Sequence, residues 1–138
     1  MGNRAVITTS TSRTEGVGIY LHWNGGPESV LGFLAAAKAR GFRDPASDDS
    51  YAMARLCGLI HEFFGIDQET SLGINQLNRL DCDNWDNGVY VIGKGWEIVD
   101  RWGKGSTNVK TFEQLDARGR NVCNEITEHL LGNKLAAA

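Results

Sequence analysis

The chain has 138 residues, 41% of them hydrophobic, which predicts one domain with an ordinary core and excludes a disordered tail or a disulfide-stapled module. No apolar run approaches the roughly 20 residues that span a bilayer, and no signal peptide opens the chain, so no membrane partner is expected, and three cysteines that read as reduced thiols point to the cytoplasm. Fourteen Lys and Arg face seventeen Asp and Glu, a net charge of -3; this is too little positive charge for non-specific nucleic-acid binding, and too little negative charge to imitate duplex DNA, which carries one charge per ~1.7 Å of axis.

Arg4 to Thr9 predicts a first strand, rich in β-branched residues. A polar turn over Ser10 to Gly16 leads to a second strand, Val17 to Trp23. There Val17, Ile19, Leu21 and Trp23 share one face and Gly18, Tyr20 and His22 the other. The linker is too short for a parallel crossover, so the two strands form a hairpin. Asn24-Gly25-Gly26-Pro27 ends the strand, and Pro27 fits the first position of a helix. Val30, Leu31, Phe33, Leu34 and Ala37 make its apolar stripe, and Gly41 stops it.

Ser47 or Asp48 caps a second helix reaching about Phe64, with Tyr51, Ala52, Leu56, Leu59, Ile60 and Phe63 as its buried set. Ser71 to Leu77 predicts a third strand and Asn78 to Asn87 a polar loop. Val89 to Ile92 and Trp96 to Trp102 follow as a strand pair around Gly93-Lys94-Gly95, with Trp96, Ile98 and Trp102 on one face. Thr111 and Gln114 have capping-box spacing. The last helix is expected over Phe112 to about Leu131, with Gly132 and Asn133 as its stop. Residues 134–138 read as a vector-derived linker, leaving 1–133 as the domain.

Strands and helices come in runs. That order indicates α+β: a mostly antiparallel five-stranded sheet with about three helices packed largely on one face.

Three constellations could carry function. The first is Tyr20, His22, Asn24, Gly25 and Gly26, where a strand end meets a glycine turn and a helix start. Free amides at such a start attract phosphate or carboxylate, which would suit a small nucleotide or other anion. Neither a P-loop nor a dinucleotide fingerprint is present. His22 could also act as a general base with an acid such as Asp81. The second is Asp81-Cys82-Asp83-Asn84-Trp85-Asp86-Asn87-Gly88. Its acids fail the EF-hand register, because Trp85 falls at position three and Lys94 where the bidentate Glu belongs. Trp85 in this polar loop is the best candidate for an exposed anchor, at a protein interface or stacked on a base, with Asp83 and Asp86 beside it; core or rim packing is the alternative. The third is the basic trio Lys38, Arg40 and Arg43, which complements the helix dipole. Cys57, Cys82 and Cys123 form no C-x-x-C pair and read as reduced thiols, with the Cys82 thiolate disfavoured by its acidic neighbours. No catalytic residue, metal site or cofactor follows from any motif.

Gly2-Asn3-Arg4-Ala5-Val6-Ile7-Thr8-Thr9, Gly18-Ile19-Tyr20-Leu21-His22-Trp23-Asn24-Gly25-Gly26 and Asp83-Asn84-Trp85-Asp86-Asn87-Gly88-Val89-Tyr90 together resemble a family of small proteins encoded by phages and other mobile elements. The resemblance spans residues 2 to about 102. It implies a domain that binds and blocks a host protein complex, as a counter-defence inhibitor of the anti-CRISPR kind. Sequestration of a small nucleotide is the alternative expectation, and a His22-dependent enzyme a further one. A homodimer is left open.

Overall fold

The structure, a computed structural model, describes residues 2–65 and 72–137, with side chains to Gly132. Strands β1 (Ala5–Thr8) and β2 (Val17–Leu21) precede helices α1 (Pro27–Ala39) and α2 (Asp49–Phe64). Strands β3 (Leu72–Gln76), β4 (Val89–Ile92) and β5 (Ile98–Trp102) follow, and then α3 (Ala117–Ala137). The fold is α+β. Its sheet has the order β3-β2-β1-β4-β5. β1 pairs antiparallel with β2, β2 with β3 and β4 with β5, while β1 and β4 run parallel.

Alternation along the strands sorts side chains onto two faces. Ala5, Ile7, Ile19, Leu21, Tyr90, Ile92 and Ile98 point at the helices and meet Val30, Phe33, Leu56, Ile60, Ile126 and Leu130. Val6, Val89 and Val91 point the other way, where Leu77, Leu80 and Cys82 of the long loop cover them. The helices therefore occupy one face, and the loop after β3 is drawn across the other by apolar burial. Helix starts follow local chemistry. Pro27 opens α1, Asp48 caps α2 through the Tyr51 amide at 3.1 Å, and Asp116 accepts from the Gly119 amide at 2.7 Å where α3 begins.

Several expectations need correction. Val17 and Trp23, expected on the core face with Ile19 and Leu21, are about half exposed. Tyr51 and Phe63 of α2 are only half-buried. Trp96 lies in a 3-10 turn (Lys94–Trp96), not in β5. Trp102 packs on the loop face, opposite Ile98. The cause is a bulge: Ile92 faces Ile98 but Val91 faces Asp100, so Val99 is an extra residue that inverts the alternation after it. Arg101 thereby lands on the helix side, buried, its guanidinium 4.3 Å from the Tyr90 ring centre. The Thr111–Gln114 capping box exists, but it opens a separate 3-10 turn (Phe112–Gln114) rather than α3. α3 also runs through Gly132 and Asn133 to Ala137; one glycine costs only about 1 kcal/mol in a helix, and Lys134, Leu135 and the alanines are good helix formers. Ser71, the expected start of β3, lies outside the described residues.

Candidate functional site

The loop Asp81 to Gly88 is held by the side chain of Asn84, which is 1% exposed. Its Oδ1 accepts from the amides of Asp86, Asn87 and Gly88 at 3.1, 3.0 and 2.9 Å. Its Nδ2 donates to the carbonyls of Asp81 and Gly88 at 3.0 and 3.1 Å. One amide group thus serves five backbone groups of the turn, of which only the Gly88 carbonyl has a strand partner as well, the Val6 amide at 3.0 Å.

The loop is then tied to distant segments. The Arg4 side chain donates from Nε to Asp86 Oδ2 at 2.8 Å and from Nη2 to the Asn84 carbonyl at 2.6 Å. The Arg4 amide reaches the same carboxylate at 3.0 Å. Asn87 Nδ2 donates to Asn3 Oδ1 and to the Arg4 carbonyl. On the other side the Lys104 amide donates to Asp83 Oδ1 at 2.9 Å, and the Trp85 amide donates to the Lys104 carbonyl at 3.0 Å. Gly105 makes this approach possible: its φ is +99°, and a Cβ there would stand 2.5 Å from the Trp85 carbonyl carbon.

Trp85 sits at the tip of this braced loop. The residue is 70% exposed, with the Lys104 ammonium 5.0 Å from its ring centre. Its φ is +65°, in the left-handed region, which costs a bulky side chain roughly 1–2 kcal/mol. Of the expected partner-binding residues, then, Trp85 projects. Asp83 is exposed but already accepts a backbone amide, and Asp86 is engaged by Arg4.

Charge follows the same arrangement. The Arg4 hydrogen bonds hold the Asp86 carboxyl below its ordinary value, although burial opposes them. The amides of Gly95 and Ser47 do the same for Asp44. A depressed carboxyl stabilises the fold above its unfolded value and loses that contribution as pH falls through the folded one. Folding stability is therefore expected to be level near neutrality and to decline below the ordinary 3.8. Denaturant titrations across an acidic pH series should show a shallower decline in Asp86→Asn; an unchanged slope would remove Asp86 from the account. Burial first, and Asp83 and Asp81 after it, push the Cys82 thiol up, which disfavours a thiolate nucleophile.

The first constellation divides in two. The Tyr20 hydroxyl and His22 Nδ1 lie 2.9 Å apart, close enough to Arg4, Asp81 and Asp86 for those charges to act on the Tyr20 phenol, which burial raises. His22 is flanked by Trp23, edge-on at 5.3 Å, and by the backbone of Gly2 against Nε2. The turn residues point elsewhere. Asn24 Nδ2 donates to Ser29 Oγ at 3.2 Å, and Asn24 lines a cavity of about 520 Å³ with Trp23, Glu28, Asp116 and Arg118. The Gly25 amide donates to the Asn3 carbonyl at 2.8 Å, and the Gly25 carbonyl accepts from Tyr90 Oη at 2.7 Å. At Gly26 the Glu28 carboxylate folds back over the α-carbon. The helix start thus carries its own negative charge, which repels an incoming anion. Among the described residues no group of three His, Cys, Asp or Glu could hold a metal ion, and no helix is long and apolar enough to cross a membrane.

No family model, curated protein or solved structure matches the chain.

Two of the basic trio have local partners, and Lys38 stands in the last turn of α1. Arg40 pairs with Glu62 at 2.7 Å, and Arg43 lies 4.1 Å from the Tyr51 ring centre and 3.9 Å from Asp48. Sequence reasoning missed Arg4, Asn84 and Lys104. The Asp/Asn density of residues 81–88 was a signal for an Asx-type turn, but nothing local links Arg4 to a carboxylate 82 residues away.

Proposed function

We propose that this chain is a non-enzymatic binding domain that captures a protein through the surface around Trp85. Its resemblance to phage and mobile-element proteins makes the target a cytoplasmic host complex, one that serves defence. The carrying observation is the combination at Trp85 of an exposed indole, a left-handed backbone and a rigid support. Trp96 offers the comparison. It has nearly the same strain, φ +62°, but its ring is 4% exposed and its Nε1 donates to the Phe42 carbonyl at 2.9 Å. Core burial offsets the strain at Trp96. At Trp85 the fold supplies no equivalent, and a partner pocket would.

Buried tryptophans are among the commonest interface hot spots, worth ~2 kcal/mol or more. A loop already fixed in shape loses little further freedom on binding. Asp83 and Lys104 supply opposite charges beside the indole and suit a polar rim. The test is affinity capture from host lysate with the wild type and Trp85→Ala as parallel baits. A partner retained by the wild type and lost, by roughly 30-fold in affinity, from Trp85→Ala is the expected result. Equal retention by both baits would place the interface elsewhere.

A further inference from the structure

We propose that the free edge of β3 pairs with β3 of a second copy of this chain, joining two five-stranded sheets into one across a twofold axis at Ile74. This goes beyond the Trp85 surface and does not depend on it.

The two edges of the sheet differ. β5 carries Asp100 and the bulge at Val99, both of which discourage strand addition. β3 reads Leu72-Gly73-Ile74-Asn75-Gln76, with no charge and no proline, and pairs with β2 in unbroken register. The backbone shows which groups are available. The Leu77 amide donates to the Gly16 carbonyl at 2.9 Å, which makes Val17 and Gln76 a wide pair in the register. Alternation from there turns the amides and carbonyls of Leu72, Ile74 and Gln76 away from β2.

Those three residues are self-complementary. Centred on Ile74, an antiparallel copy sets Ile74 opposite Ile74 and Leu72 opposite Gln76, and every such pair exchanges two hydrogen bonds. The Gln76 amide has only the Asn75 side chain as its acceptor, at 2.8 Å, and can release it. A strand without charge brings no like-charge repulsion to the axis, where each residue meets its own symmetry mate or that of a neighbour. Side chains agree with the backbone. Ile74 is 60% exposed on the helix side of the sheet, beside half-exposed Val17. Both line a groove of about 700 Å³ with Ile19, Met53 and Ala54, and with Asp49 at its rim. The twofold sets the helical layers of both copies on the same side and brings the two Ile74 side chains together on the groove floor.

Sedimentation velocity on the full chain over a concentration series tests the pairing. The expected result is a concentration-dependent dimer. Ile74→Lys puts two ammonium groups on the axis and should give a monomer. Gln76→Pro should do the same by removing an outward amide, and its φ of −62° already suits proline. Both variants should keep the wild-type circular dichroism, and Trp85→Ala should stay dimeric. A wild type that is monomeric at its highest soluble concentration, or a dimer that survives both substitutions, overturns the proposal.

Discussion

Asn84→Ala is expected to destabilise the fold by about 3–4 kcal/mol, a large share of a small domain's total. The substitution removes the partner of three backbone donors and of the Asp81 carbonyl, while the Gly88 carbonyl keeps the Val6 amide. Each buried group left unpaired costs ~1–3 kcal/mol, and the loop recovers part of this by opening to water. Opening also releases the Arg4 contacts with Asp86 and the Asn84 carbonyl, so the damage spreads to the N-terminal segment. Guanidinium unfolding monitored by tryptophan fluorescence measures the effect. Asn84→Asp separates the two halves of the amide. It keeps the acceptor for the three amides but loses both donated bonds, and it adds charge beside Asp81, Asp83 and Asp86. Its stability should lie between those of the wild type and Asn84→Ala, because the three amide donors still face an acceptor. A loss under ~1 kcal/mol in Asn84→Ala would mean that this loop is not a fixed platform.

Glycine substitution at the two left-handed tryptophans should have opposite consequences. Trp96→Gly removes a buried indole and its hydrogen bond to Phe42, for an expected loss of ~3–5 kcal/mol. Trp85→Gly should leave stability within ~1 kcal/mol of the wild type. Relief of roughly 1–2 kcal/mol of backbone strain is balanced by ~0.5–1 kcal/mol of added freedom in the unfolded glycine chain and by ~0.5–1 kcal/mol of lost contact with Lys104. Partner capture should nonetheless fall as far in Trp85→Gly as in Trp85→Ala. Thermal melts of the two variants together with the capture assay make the comparison. If Trp85→Gly is strongly destabilised, the indole serves the fold, and the strain at its backbone needs no partner to explain it.

Those outcomes bear on the order of strength among the candidate regions. The 81–88 loop is braced from both sides and presents one large exposed ring. The Asn24–Gly26 turn is occupied by its own neighbours, with Glu28 at the helix start and Tyr90 on the Gly25 carbonyl. His22 and Tyr20 bond to each other and share their surroundings with the Arg4–Asp86 pair, which ties them to the loop rather than to the turn.

What the chain spells out locally, it spells out well. Runs of strand-favouring residues placed β1 and β4, alternation placed β2, Pro27 and Asp48 marked helix starts, and runs of like elements indicated α+β. Each of these depends on residues within one or two turns of each other, where spacing alone decides which groups meet. The exposure of Trp85 was legible for the same reason, since the residues around it offer no apolar stripe to bury it. Tertiary structure alone decided the rest. The parallel pairing of β1 with β4 joins strands more than 80 residues apart in the chain, and the Arg4–Asp86 bond follows from that pairing rather than from any motif. The bulge at Val99 reversed the faces of Arg101 and Trp102, because one unpaired residue shifts every later side chain across the sheet. Even the availability of the β3 edge depends on which strand lies next to which, and no strand carries that information by itself.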